Sequence, residues 1–193
     1  MDIKGKKIIL ASNSPRRKEL LAGLDIEFEI DTRSNAEEVY SPDTPHEVIP
    51  SVLSEVKSYG FHRELIDNEI LITSDTLVLC GDRVMGKPHS REEAIEMLDY
   101  LSGKEHKVIT AVTLRDNSRH ITSSDTAYVH FKTLSREEIE YYVDAYRPFD
   151  KAGAYGIQEW IGYIGISRIE GSYFTIMGLP VHLVYEQLLN FID

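Results

Sequence analysis

Apolar residues recur along this chain in two kinds of pattern. Ile8-Ile9-Leu10, Ile70-Leu71-Ile72 and Leu77-Val78-Leu79-Cys80 are unbroken runs, the mark of strands buried on both faces. Elsewhere apolar residues return every three or four positions, the period of an amphipathic helix. The first run predicts a strand over 7–12. A helix follows, with Ser14 as N-cap, Pro15 at the first helical position and Gly23 as the stop. A second short strand is expected over 26–30, then a polar, turn-rich loop over 31–44.

Thr44-Pro45-His46-Glu47 reads as a capped helix start with Glu47 at the capping-box position, and Val48, Val52, Leu53 and Val56 follow at helical spacing. Pro50 interrupts that run and shifts the expected start of the main helix toward itself. A strand over 70–80 comes next, then a helix capped by Ser90 with Glu93 three residues on. Strands over 106–114 and 121–131 flank an Asp116-Asn117-Ser118 turn, a hairpin signature. Ser135 with Glu138 opens another helix, and Pro180 opens the last, whose apolar face is Leu183, Val184, Leu188 and Phe191. The stretch from Ser167 to Tyr173 reads as polar and turn-like. Strands alternating with helices, broken once by a hairpin, predict an α/β fold with a mixed β-sheet flanked by helices. No repeat, linker or shift in composition divides the chain, so residues 1–193 are expected to form a single domain.

Composition narrows the partners. At 42% hydrophobic and 27% charged residues, the chain has globular proportions. A formal net charge of -11 argues against a nucleic-acid polymer, whose phosphates are held by Lys and Arg. It leaves room for a focused basic site. Cys80, the single cysteine, has no intramolecular disulfide partner and follows an apolar run, so it is expected in the core. No segment approaches the ~20 apolar residues of a membrane span, and the first residues lack a signal-peptide pattern. A cytoplasmic protein that does not enter membranes is the expectation.

Four stretches depart from plain structural logic. Arg16, Arg17 and Lys18 crowd the start of the first predicted helix, where unpaired N–H groups and the helix dipole disfavour cations. A phosphate resolves that conflict: amides and the Ser12 and Ser14 hydroxyls donate hydrogen bonds, while Arg16 and Arg17 supply charge and bidentate geometry. A solvated basic patch is the plainer alternative. The glycine patterns of P-loops and dinucleotide-binding folds are absent. Asp75 sits inside the apolar strand ILITSDTLVLC, where a carboxylate is costly unless it is paired, protonated or bound to a cation; a bulge exposing it to water is the alternative. Such a carboxylate can bind Mg²⁺ or take a proton from water. Lys87 lies in Gly86-Lys87-Pro88, an ordinary turn sequence that also suits a lysine facing a leaving pyrophosphate. The small-residue run Asp150 to Gln158 leaves the backbone open to close approach, with Tyr155 and Trp160 as stacking or core aromatics and Gln158 as a combined donor and acceptor.

Together these stretches resemble the Maf family of nucleoside triphosphate pyrophosphatases: ASNSPRRKELL at 11–21, SDTLV at 74–78, GKP at 86–88, DKAGAYGIQ at 150–158, then RIEGSY and GLPV. The resemblance spans nearly the whole chain in order. Asn13 and Ser74 stand where many members have glycine and alanine. It implies an elongated mixed sheet in two lobes with a central cleft, similar to inosine triphosphate pyrophosphatases, often in a homodimer. It implies a nucleoside triphosphate substrate, cleaved to the monophosphate and pyrophosphate with a divalent cation, Mg²⁺ or Mn²⁺.

By the same resemblance, Asp75 is the catalytic proton acceptor, and Arg16, Thr76 and Gln158 set substrate preference. Ser12, Arg16, Arg17, Lys57 and Lys87 meet the phosphates. One glutamate of the Glu37-Glu38 pair joins Asp75 at the metal; spacing from Arg17 favours Glu37, whereas the register of the acidic doublet favours Glu38. Glutamine at position 158 marks the subgroup that prefers dTTP and UTP, and glutamate there the subgroup that prefers 7-methyl-GTP. A nucleotide sensor without turnover, acting in cell division, is the alternative of a different class, and an interaction protein using its acidic face is another.

Overall fold

In the computed structural model, which describes residues 3–192, the sheet is seven-stranded with order β2-β1-β3-β5-β6-β7, and β4 pairs with β3. The strands are β1 (Lys7–Leu10), β2 (Phe28–Ile30), β3 (Glu69–Cys80), β4 (Arg83–Met85), β5 (Glu105–Arg115), β6 (His120–Phe131) and β7 (Ile166–Glu170). β1 runs parallel to both β2 and β3, whereas β4 on β3 and β7 on β6 are antiparallel, so the sheet is mixed as expected. The helices are α1 (Pro15–Ala22), α2 (Ile49–Tyr59), α3 (Arg91–Leu101), α4 (Arg136–Tyr146), α5 (Trp160–Gly165), α6 (Tyr173–Met177) and α7 (Val181–Ile192). Among the described residues, no helix is long and apolar enough to cross a membrane.

The chain divides into two compact units: residues 1–75, 110–125 and 178–193 form one, and residues 76–109 and 126–177 the other. In the first unit, Ile8, Leu10, Ile70, Leu71 and Ile72 are almost wholly buried, which explains their unbroken apolar runs. Ile9 and Leu71 pack with Phe61 and Leu65. Ser14 caps α1 by accepting from the Arg17 N–H, Pro15 takes the first turn and Gly23 ends the helix. In the second unit α3 packs against α4, with Leu98, Leu101, Ile139 and Tyr142 buried. Ser135 and Glu138 form the reciprocal capping box of α4.

Two local expectations are corrected. Residues His46–Val48 form a 3-10 turn without a side-chain cap, and α2 starts at Ile49 with Pro50 in its first turn. The proline ring would clash with the carbonyl four residues back, so a regular helix cannot run through 46–50, and the N-cap position falls on Pro45, whose side chain makes no cap hydrogen bond. The segment read as turn-like from Ser167 contains β7, paired with β6 through Val129↔Ile169 and His130↔Arg168. Its mostly exposed residues carry no buried alternation, so the strand forms because the edge of β6 offers partners, a tertiary cause. Cys80 is buried, and burial pushes its thiol pKa up, which suits a core residue.

Candidate active site

In the first unit, β1 lies between β2 and β3, so the chain leaves β1 toward one neighbour and returns beside the other. Such a switch in strand order opens a crevice at the carboxyl ends of parallel strands. The loop from Ala11 to Ser14 starts there. The Ala11 N–H still donates to Ile72 O at 2.9 Å, and the Ser14 N–H donates to the buried Ser12 Oγ at 3.2 Å. α1 follows at once, aiming its first amides at the same end. Its first turn holds no acidic residue and carries the half-buried Arg16 and Arg17.

β3 continues past this point without a break, bringing Ser74 and Asp75 alongside. β3 is continuous through Asp75, whose side chain is only 16% exposed, so it is not turned out into water. Asp75 is instead paired. The Lys57 ammonium, in the last turn of α2, contacts Asp75 Oδ1 and lies 3.1 Å from Glu38 Oε2. Because Pro50 falls in the first turn, α2 runs on intact to present Lys57. Glu37 is exposed, and among the described residues it shows no ion pair with Lys57.

Arg17 departs from the expected bidentate phosphate fork. Its Nε donates to Gly178 O at 2.8 Å and its Nη1 to Ser74 O at 2.9 Å, tying the loop before α7 to the strand beside Asp75. Ser74 Oγ donates to the same Gly178 carbonyl at 3.3 Å. Burial pulls the Arg17 pKa down to about 10, and the neighbouring Arg16 adds to that, while Asp75 and Glu38 oppose it; the guanidinium remains charged at neutral pH. Ser12, Arg17, Lys57, Glu38 and Asp75 therefore form one connected neighbourhood within this unit, with Arg16 in electrostatic reach of Arg17.

Thr76, Lys87 and Gln158 belong to the second unit. Thr76 follows Asp75 on β3 and is half-buried. Lys87 is exposed in the loop after β4, and that loop is joined to the small-residue run, since the Gly153 N–H donates to Gly86 O at 3.0 Å. Gly153 has φ +70° and packs on Val78, where a Cβ would meet the side chain at 3.2 Å. Gln158 lies in the turn Gly156–Glu159, closed by the Glu159 N–H donating to Gly156 O at 3.0 Å. Its Oε1 is buried and, among the described residues, has no hydrogen-bond partner. Tyr155 is a core aromatic, bonded through its hydroxyl to His106 Nε2 at 2.7 Å and edge-on to Phe131, which excludes it as a stacking platform. Trp160 meets Tyr141 edge-on.

Tyr142, Lys151 and Glu159, none of which stands out in the sequence as a site residue, surround this turn. Their only sequence signals are the helical phase of Ile139, Tyr142 and Val143 and two charges flanking a run of small residues.

Two carboxylates, Asp75 and Glu38, converge on a single cationic group, and such hard oxygen donors fit Mg²⁺ or Mn²⁺. A separate group with metal-ligand spacing, Glu105, His130 and Glu170, has ligand atoms within 4.8 Å of one another. It contains none of the residues expected at the metal, and its side chains already contact one another, with His130 Nε2 at 3.0 Å from Glu105 and 3.3 Å from Glu170.

This chain belongs to the Maf family, whose model, described as Maf-like protein, matches residues 7–191. Among curated relatives, the dTTP/UTP pyrophosphatase of Parabacteroides distasonis is 47% identical over 98% of this chain and 98% of its own length. That of Porphyromonas gingivalis is 47% identical over 98% of this chain and 96% of its own. The Phocaeicola vulgatus protein of the same description is 50% identical over 94% of each.

Proposed function

We propose that this chain hydrolyses dTTP and UTP to the nucleoside monophosphate and pyrophosphate. The observation that carries the reading is the meeting of Arg16, Arg17 and Lys57 with Asp75 and Glu38 at the start of α1: cations for a triphosphate beside carboxylates for the chemistry. Relatives named dTTP/UTP pyrophosphatase, 47% identical over nearly the whole chain, support the same reaction.

Arg16, Lys57 and the α1 amides draw the triphosphate in, and Ser12 donates to its oxygens. Arg17, anchored to Ser74 and Gly178, contributes charge from a fixed place. Asp75 accepts the proton of the water that attacks the α-phosphorus, and pyrophosphate leaves against Lys87 and the arginines. Asp75 and Glu38 would also hold the divalent cation, which supplies charge neutralisation and polarisation of the phosphate. Glu38 is preferred over Glu37 for this because it shares Lys57 with Asp75.

Gln158 and Thr76 select the base. The buried Gln158 Oε1 is an acceptor in need of a donor, and N3–H of uracil or thymine supplies one while the amide NH₂ donates to O4. Cytosine presents an acceptor at N3 and leaves Oε1 unmet.

A panel of natural and modified triphosphates assayed for pyrophosphate with Mg²⁺ and with Mn²⁺ tests the proposal. It expects dTTP and UTP to lead, and EDTA to abolish turnover. Comparable kcat/KM for dTTP, UTP and 7-methyl-GTP overturns the base assignment, and nucleotide binding without pyrophosphate release in either metal favours the sensor.

A further inference from the structure

We propose that Tyr142 is a positioning residue for base selection, bracing both corners of the turn that presents Gln158; the inference rests on Gln158 reading the base. Tyr142 is wholly buried on α4. Its hydroxyl accepts from the Gly156 N–H at 2.9 Å and donates to Glu159 Oε2. Gly156 and Glu159 are the first and last residues of the turn, and Gln158 lies between them. One hydroxyl thus spans the turn, in addition to its backbone hydrogen bond.

The rest of the neighbourhood completes this brace. Lys151 Nζ lies 3.1 Å from Glu159 Oε1 and 2.8 Å from Asp150 Oδ1, so both oxygens of Glu159 are engaged. A Cβ at Gly156 would come within 2.8 Å of the Glu159 carboxyl carbon, so the carboxylate seats directly on the glycine backbone. On the far side, a Cβ at Gly162 would meet Ile157 O at 1.8 Å, which leaves the turn no room to shift toward α5. Burial, reinforced by Glu159, pushes the Tyr142 hydroxyl pKa well above its ordinary range, so it stays a donor.

None of this network has a partner on Gln158 Oε1, which is buried and unbonded. The energetic logic is that an unpaired buried acceptor would turn toward any available donor or water unless the backbone beneath it is held. Tyr142 supplies that hold without occupying the acceptor.

The test is Tyr142→Phe in the full chain, assayed beside Gln158→Ala with dTTP and dCTP, with circular dichroism and a melting curve as fold controls. Tyr142→Phe is expected to raise KM for dTTP ~10-fold with kcat within ~3-fold, and to shrink the dTTP-over-dCTP ratio of kcat/KM ~10-fold, the scale of one lost buried hydrogen bond. In the Gln158→Ala background the same substitution should lower that ratio by less than ~2-fold, because the two residues act through one contact. A folded Tyr142→Phe protein that keeps the ratio while Gln158→Ala loses it overturns the proposal and leaves the base reading standing. If neither substitution moves the ratio, the base reading fails and the proposal with it. Should Tyr142→Phe not fold, Glu159→Ala removes the acceptor of the same hydroxyl and is read in the same way.

Discussion

The cluster around Asp75 and the turn around Gln158 hold polar groups ready by opposite means. At Asp75 the groups are ionised and neutralise one another: Lys57 stands between two carboxylates, and Arg17 is fastened to two carbonyls. At Gln158 the side-chain acceptor is left unpaired among the described residues, and the hold comes from residues beside it: Tyr142, Glu159 and Lys151. Charged groups kept in a partly buried place need counter-charges whether or not substrate is present. A neutral amide tolerates being idle at a cost of about 1–3 kcal/mol, so its selectivity can reside in a single unmet bond. The contrast predicts that the first region governs rate and anion affinity, and the second governs choice.

The largest effect separating them is expected from Asp75→Asn. The change keeps volume and removes charge and basicity, so kcat should fall ~10²-fold or more, the scale of a lost general base. Lys57 retains Glu38 at 3.1 Å, so the fold should survive, as circular dichroism and melting would report. Near wild-type kcat at saturating Mg²⁺ would remove Asp75 from the chemistry.

Arg16→Ala should raise KM by about 10-fold at low ionic strength, as expected for a lost charged contact, and the defect should shrink as salt screens the remaining charges. The effect of Gln158→Ala should be insensitive to salt. Parallel salt responses in the two variants, measured as KM between low and high ionic strength, would erase the distinction between the regions.

Gln158→Glu replaces an amide by a group that only accepts. It should cost dTTP and UTP about 10-fold in kcat/KM, in line with a lost hydrogen bond and an unmatched O4, without lowering kcat toward the level of the Asp75 variant. Unchanged dTTP kinetics in this variant would mean that the base is read elsewhere.

The signals that were legible in the sequence are local ones. Asp75 stood out because a charge inside an apolar strand needs a reason. Ser14-Pro15 and the Ser135–Glu138 box announce helix starts because capping acts over a few residues, and the structure contains both. The failures share another cause. β7 exists through pairing with β6, and Ser167–Glu170 is too exposed to show a pattern of its own. Tyr141 and Tyr142 are adjacent and identical in type, yet one is exposed and the other buried. Helical phase could have separated them, but no spacing rule links Tyr142 to Glu159. That Glu38 rather than Glu37 meets Lys57 likewise depends on how an irregular loop returns to α2.

A different kind of effect, on stability rather than kinetics, is expected at His106, which bonds Tyr155 in the core. Burial, with His130 adding to it, holds the His106 pKa down to about 3 from an ordinary 6.5. The unfolded chain therefore takes up a proton that the folded chain refuses as pH falls from about 6.5 to about 3. This contribution is fully present above the unfolded value and is lost progressively through that window, at up to about 1.4 kcal/mol per pH unit. His106 Nδ1 is buried without a partner, so a proton there would find no acceptor. Melting curves across this range should show a steeper loss for wild type than for His106→Phe; equal slopes would place the acid sensitivity elsewhere.

If water attacks the α-phosphorus beside Asp75, the oxygen it brings must end in the monophosphate. Hydrolysis of dTTP in H₂¹⁸O, followed by mass spectrometry of the products, should put the label in thymidine monophosphate and leave the pyrophosphate unlabelled. Label in pyrophosphate, or release of dTDP with labelled orthophosphate, would contradict the account.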